Sequence, residues 1–435
     1  MARTSRFSTV PALCFAFGSA LAAPVAAWAQ AVPPAQAPAP PSATTPAAPA
    51  ASAPAVPSSF QIYGITLNAQ AEVGIMGNPA GPSDFLNFGH LFTDRANQVL
   101  MNQLLLTAQK PIDSKATTVN FGFDLQLLYG TDARYTHFIG ELNYLTDSRY
   151  QLDIVNANVQ VHLPYLVSGG VDLKVGQYPS PLGYETIDPS TNPFYSHSYI
   201  FNFGVPFKHT GGLAIAHVNG MLDLYGGVDS GTNTSLGNGD NNSAPAGLAG
   251  FNLTLLGGNL TLLALTHFGP ENPTLTVPGA DGFMRYYNDV VATYKATPKL
   301  TLTTEANLVR DDYFKADGFG VAQYVSYALT DKVTLNGRAE VFRDDKGFFV
   351  AAFPGVFDYV NAEAGKPTPF VKSYGPNTYT ELTFGVTFKP TVPTPVANLM
   401  LRPEVRWDHA FANAPFDAGT NHNAVTLAAD VVIGF

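Results

Sequence analysis

Between Tyr63 and Ile75 every odd position is apolar, through Ile65, Leu67, Ala69, Ala71 and Val73, while the even positions include Thr66, Asn68, Gln70 and Glu72. Strict alternation is the period of a strand, whose successive side chains point to opposite faces. A run this long exceeds the five or six residues usual in a soluble sheet. The same design recurs down the chain. Val119, Phe121, Phe123, Leu125 and Leu127 oppose Asn120, Gly122, Asp124 and Gln126, and Leu300, Leu302, Ala306 and Leu308 oppose Thr301, Thr303, Glu305 and Asn307. Val333, Leu335, Ala339 and Val341 oppose Thr334, Asn336, Arg338 and Glu340, and Leu399, Leu401, Val405 and Trp407 oppose Arg402, Glu404, Arg406 and Asp408.

Sixteen such segments can be drawn: 60–75, 98–109, 117–130, 151–162, 171–178, 207–218, 221–229, 247–256, 259–267, 285–296, 299–309, 318–329, 332–343, 377–389, 398–408 and 424–435. Those beginning at 98, 207 and 318 alternate poorly. The connections alternate in length. Short turns, including Asn219-Gly220 and Gly257-Gly258, carry hairpin chemistry. Long loops lie between them, the longest at 76–97, 131–150, 179–206, 230–246, 268–284 and 344–376. A soluble sandwich gives no reason to sort its loops in this way, whereas a transmembrane barrel has short turns at one end and long loops at the other.

Unpaired backbone N–H and C=O groups are too costly in hydrocarbon, so a closed sheet is one of two spanning solutions. No run of eighteen apolar residues after Phe60 offers the other. The expected fold is therefore all-β: a transmembrane antiparallel up-and-down β-barrel of about sixteen strands, apolar toward lipid and polar toward a lumen. Charged residues make up only 13% of the chain, about half the share in soluble domains, as expected when lipid covers the outer face. Asp124, Glu305, Arg338, Glu340, Arg402, Glu404, Arg406 and Asp430 all fall on the polar parity and are the candidate pore-lining residues. On this reading Arg402→Glu should change ion selectivity with folding largely intact, whereas Leu401→Arg should impair membrane assembly.

Residues 1–29 carry Arg3 and Arg6, an apolar stretch and Ala27-Trp28-Ala29 before Gln30, the pattern of a cleaved secretory signal peptide. Cleavage removes Cys14, the only cysteine, and takes the formal net charge from −10 to −12, since two cations and no acids are lost. Polyanion binding is disfavoured, so nucleic acid is not an expected partner. Residues 30–58, almost entirely Ala, Pro, Ser and Thr, read as an extended periplasmic linker. The barrel is expected over 59–435.

The stretches "FGFDLQLLYGTDARYTHF" (121–138) and "VDLKVGQYPSPLGYETIDPSTNPFYSHSYIFNFGVPFKHTGGLA" (171–214) resemble the OmpL-like beta-barrel porin family of Gram-negative bacteria. The terminal "VVIGF" is similar to the assembly signal of many outer-membrane barrels. The resemblance implies an outer-membrane channel and supplies no catalytic residues. The expected function is passive diffusion of small hydrophilic solutes, with outer-membrane lipid and lipopolysaccharide as surroundings and a homotrimer as the assembly common among general porins. By analogy with general porins, the third long loop, 179–206, either enters the lumen as a constriction carrying Glu185 and Asp188 or packs as a lid on the rim. Two alternatives stand beside the channel: a plugged barrel with a structural or adhesive role, and an outer-membrane lipid hydrolase.

Enzyme signatures are weak. The nine histidines lack metal-site spacing, and no nucleophile elbow, P-loop or dinucleotide fingerprint occurs. Neither a metal nor a cofactor is expected; "GNGDNNS" (237–243) has calcium-like oxygens but reads more simply as a polar loop.

Overall fold

The computed structural model describes residues 60–372 and 375–435. The signal peptide expected at 1–29 and the linker at 30–58 lie outside the described residues. Among the described residues there are sixteen long strands. They are β1 (Ile65–Gly77), β2 (Val99–Lys110), β3 (Asn120–Gly130), β4 (Gln151–Leu163), β5 (Val171–Pro179) and β6 (Lys208–His217). Next come β7 (Leu222–Asp229), β8 (Ala246–Leu255), β9 (Leu260–Pro270), β10 (Met284–Lys295) and β11 (Leu300–Asp311). The last five are β12 (Ala316–Ala328), β13 (Val333–Asp344), β14 (Asn377–Phe388), β15 (Asn398–Ala410) and β16 (Asn423–Gly434).

Each strand pairs antiparallel with its neighbours in sequence, and β16 closes the sheet on β1 with Leu427 opposite Gly77 and Gly434 opposite Gln70. The backbones of Phe435 and Ala69 exchange two further bonds at that seam, of 2.8 and 3.3 Å. Closure leaves no ladder edge, which is the condition for spanning hydrocarbon with strands.

The opening stretch is not one strand, as its alternation suggests. Tyr63 and Gly64 both take positive φ, 50° and 78°, and turn the chain, so that Phe60–Ile62 folds back on Ile65–Leu67. Gly64 has no Cβ to oppose that conformation.

Burial is inverted relative to a soluble protein. In β16 the outward Leu427 is 56% exposed, while the inward Asp430 is 2% exposed. In β14 the outward Phe384 is 62% exposed and the inward Glu381 is fully buried. An apolar outer face around an interior packed with charged, polar and aromatic groups suits a lipid solvent.

Candidate functional site

The loop between β5 and β6 lies inside the barrel, held by side chains of the inner wall. Its backbone N–H groups go to wall carboxylates. Gly183 donates to Asp289 (3.0 Å) and Tyr184 to Glu305 (3.1 Å); Tyr195 and Ser196 donate to Glu404 (2.9 and 3.1 Å), and Tyr199 and Ile200 to Glu340 (2.7 and 2.8 Å). Its carbonyls go to wall guanidinium groups. Arg402 donates to Pro189 (2.7 Å) and Asn192 (2.9 Å), Arg406 to His197 (2.6 Å) and Arg338 to Ser196 (2.9 Å). A loop buried this way carries backbone groups that water cannot reach, and the charged wall satisfies them.

Local chemistry also shapes the loop. Asp188 accepts from Ser190 N–H (2.9 Å) and starts the 3₁₀ turn Pro189–Thr191. Ser198 Oγ accepts from Phe201 N–H (3.0 Å) at the entry to the π-helical turn Ile200–Gly204. The wall makes room with glycine where the loop presses hardest. A Cβ on Gly74 would run into the Tyr195 ring, and one on Gly320 would come 2.7 Å from Ile200 Cγ1.

Of the eight residues expected to line the pore, Glu305, Arg338, Glu340, Arg402, Glu404, Arg406 and Asp430 are buried beneath this loop. Arg402 also pairs with Glu72 (2.9 Å) and with Asp430, and Arg406 with Asp408 (2.7 Å). Glu185 meets Arg338 (2.7 Å) and His197 (2.7 Å) in direct contact, not across a gap. Burial alone would push the Glu185 carboxyl up, but those two partners hold it down at about 2. Asp188 is half-buried and accepts from Gln70 (2.8 Å) on β1. Asp124 stands apart, half-buried on β3.

Because the folded pKa of Glu185 is depressed, its share of the docking energy is complete above the usual value near 4.5 and is lost as pH falls toward about 2. The exchange protection factor at Ser198, whose N–H Glu185 accepts, should therefore hold from neutrality to pH 5 and fall only in stronger acid. Equal protection at pH 7 and pH 2.5 would contradict this.

Most of the loop's polar anchors come from β1, β2 and β10 to β15, about half the wall, and β6 adds a contact from His209 to Ser180 Oγ (3.0 Å). The other half keeps a ladder of half-buried or buried amides. Gln126 donates to Thr107 (3.0 Å), Asn156 to Gln126 (3.3 Å), Asn158 to Asn156 (3.3 Å) and Gln160 to Asn158 (3.0 Å). Beside it lie Asp124 and Lys174. At the short-turn end Asp172 contacts His162 (2.6 Å) and His217 (3.1 Å), and His217 contacts Asp223 (2.8 Å). The sequence reasoning passed over Asp172 and Lys174, although both share the polar parity of "VDLKV".

At the long-loop end a cavity of 330 Å³ is walled by aromatics, among them Phe203, Phe349, Phe353 and Tyr359, with Arg285 and Glu271 as charged members. The segment 237–243 satisfies itself and its neighbours: Asp240 accepts from the Asn242 and Ser243 amides, and Asn242 donates to the Pro270 carbonyl. Near the cavity His209 and His267 meet around Asp229, although 58 residues of sequence separate the two imidazoles. No short spacing could have revealed that pair.

Several solved structures share this architecture. The outer membrane channel DcaP of Acinetobacter baumannii aligns at TM-score 0.52 and 12% identity, covering 86% of this chain and 99% of that one. Salmonella typhi OmpF aligns at 0.54 and 9% identity, over 86% and 100%. The anion-selective porin from Comamonas acidovorans aligns at 0.52 and 8%, over 85% and 99%. These likenesses speak to the fold. A comparison with curated proteins found no match. A family model, "Putative beta-barrel porin-2, OmpL-like", matches residues 64–435. The chain belongs to that family and is an outer-membrane porin.

Proposed function

We propose that this porin is a passive diffusion channel for small hydrophilic solutes, with its path along the polar wall of β3 to β5. The observation that carries the reading is the uneven distribution of the inward loop's polar anchors, most of which lie on β10–β15, β1 and β2. Opposite them stand the amide ladder, Asp124 and Lys174. Amides and mixed charges exchange hydrogen bonds with a hydrated solute without holding it, as conduction requires. Chemistry is not part of this reading, and a phospholipid substrate should show no turnover.

Planar-bilayer recording tests it. The purified protein should give steady ohmic steps. Lys174→Glu changes the local charge by two units; at about 8 Å in a water-like dielectric each unit is worth about 0.5 kcal/mol. The cation gains and the anion loses about 1 kcal/mol, so cation-over-anion permeability should rise by up to about thirtyfold by reversal potential. An unchanged reversal potential would place the path elsewhere.

A second reading draws on the burial of seven of the eight expected pore residues. It is a plugged barrel with a structural or adhesive role, and the absence of any conductance step would favour it. In either case the apolar belt is expected to contact outer-membrane lipid and lipopolysaccharide, and a homotrimer is the assembly to look for by crosslinking in detergent.

A further inference from the structure

We propose that His209, Asp229 and His267, supported by Glu271, form a binding site for a divalent transition cation of the zinc class. His209 lies at the start of β6, Asp229 at the end of β7 and His267 near the end of β9, all at the long-loop end of the wall. Between β7 and β9 runs β8, where the residue opposite Asp229 is the small Ala246. Across it, His267 Nε2 reaches Asp229 Oδ1 at 3.0 Å. One ligand atom from each of the three residues lies within 4.8 Å of the others.

The case for a cation rests on what these side chains leave unused. His209 Nδ1, Asp229 Oδ2, His267 Nδ1 and Glu271 Oε1 are buried and have no hydrogen-bond partner. They face one another in two pairs, His209 Nδ1 to Asp229 Oδ2 and His267 Nδ1 to Glu271 Oε1, each 3.6 Å apart. That is long for a hydrogen bond and close to the spacing of two ligand atoms each about 2.0–2.2 Å from one ion. Three of the four residues are already held from behind. His209 Nε2 contacts Ser180 Oγ (3.0 Å), Asp229 Oδ1 accepts from Gly231 N–H (2.9 Å), and Glu271 Oε2 accepts from Thr232 N–H (2.7 Å). Metal-binding imidazoles and carboxylates are oriented by such partners.

Charge points the same way. Among the described residues neither Asp229 nor Glu271 makes an ion pair with Lys or Arg. Two buried carboxylates without a Lys or Arg in direct contact are costly. A divalent ion held by Asp229 and the two imidazoles supplies that charge and leaves the imidazoles neutral, the form in which they bind. Two imidazole nitrogens and a carboxylate oxygen suit zinc and its neighbours and argue against calcium, which prefers oxygen alone. Glu271 also lines the aromatic cavity. The ion would tie β6, β7, β9 and the 271–283 loop together at that end of the barrel.

The test uses the full-length protein folded in detergent, stripped with a chelator, incubated with zinc chloride and desalted. Elemental analysis should find about one zinc per wild-type chain, almost none in His209→Ala or His267→Ala, and a wild-type level in the control His422→Ala. Heat-modifiable gel mobility checks that each variant is folded. Should the variants fail to fold, X-ray absorption of zinc on the wild type decides. Imidazole scattering with ligands near 2.0–2.1 Å supports the site, and an oxygen-only shell overturns it. Wild type that retains no zinc, or folded variants that retain as much as wild type, likewise overturns it.

Discussion

Arg402→Ala should destabilise the folded barrel by about 3–5 kcal/mol, the usual cost of removing one partner from a buried ion pair. The guanidinium is 1% exposed and serves four partners, the carboxylates of Glu72 and Asp430 and the carbonyls of Pro189 and Asn192. Without it, two carboxylates remain buried side by side and the loop loses its attachment to β15 at Pro189 and Asn192. Urea unfolding in detergent measures the loss, and channel recording should show larger or noisier steps as the loop loosens. The sequence reading expected Arg402→Glu to retune selectivity at little structural cost. With Arg402 buried against Glu72 and Asp430, the expected outcome is instead a loss of stability, because a third carboxylate would enter the same buried space. Arg310 is the matched comparison: its pairs with Asp312 and Asp317 are solvent-exposed, so Arg310→Ala should cost no more than about 1 kcal/mol. Equal stabilities of the two variants would refute the account of the wall.

On the opposite face, Val405→Arg should cost about 2–4 kcal/mol, the penalty for a cation turned to lipid near the bilayer centre. Val405 lies midway along β15 and is 41% exposed, next to the inward Glu404 and Arg406. Leu401 shares its face but sits nearer the short-turn end, where Leu401→Arg should cost less, since the penalty falls toward the interface. Folding into lipid vesicles across a urea gradient separates the two. If Val405→Arg folds as readily as Leu401→Arg, depth has been misassigned, and if both fold like wild type, so has the face.

The barrel was legible because its solvent imposes a period. Lipid requires an apolar residue at alternate positions, and each of the sixteen expected segments contains or closely overlaps an observed strand. The segments that alternated poorly failed for identifiable reasons. In β2 the pairing shifts between Glu72 and Val73, so that Asn102 has no partner across the ladder. Asn102 and Gln103 are both buried and bond to Asp132 and the inward loop, as a bulge allows. In β12 the inward positions Gly318, Gly320 and Ala322 are small because Ile200 and Phe349 occupy the space in front of Gly320 and Gly318. In β6 the inward Leu213 is apolar because it packs in a cluster with Leu182 and Val205 of the loop. A lumen partly filled by protein blurs the contrast on which parity depends. The site was less legible for the same reason. Parity identified Arg338, Glu340 and Arg402 as inward, but whether an inward charge meets water or a folded loop depends on contacts across 140 to 213 residues of sequence.

That separation bears on biogenesis. The loop is synthesised before β6, yet most of its anchors arrive with β10 to β15, so its final seat does not exist until the C-terminal part of the sheet is in place. Contacts so distant in sequence form slowly. A nascent chain arrested before β10 would expose the peptide around Tyr195–Gly204, rich in aromatics and without its carboxylate and guanidinium partners, to periplasmic chaperones and proteases. Quality control could thus read closure of the cylinder from the disappearance of a single segment.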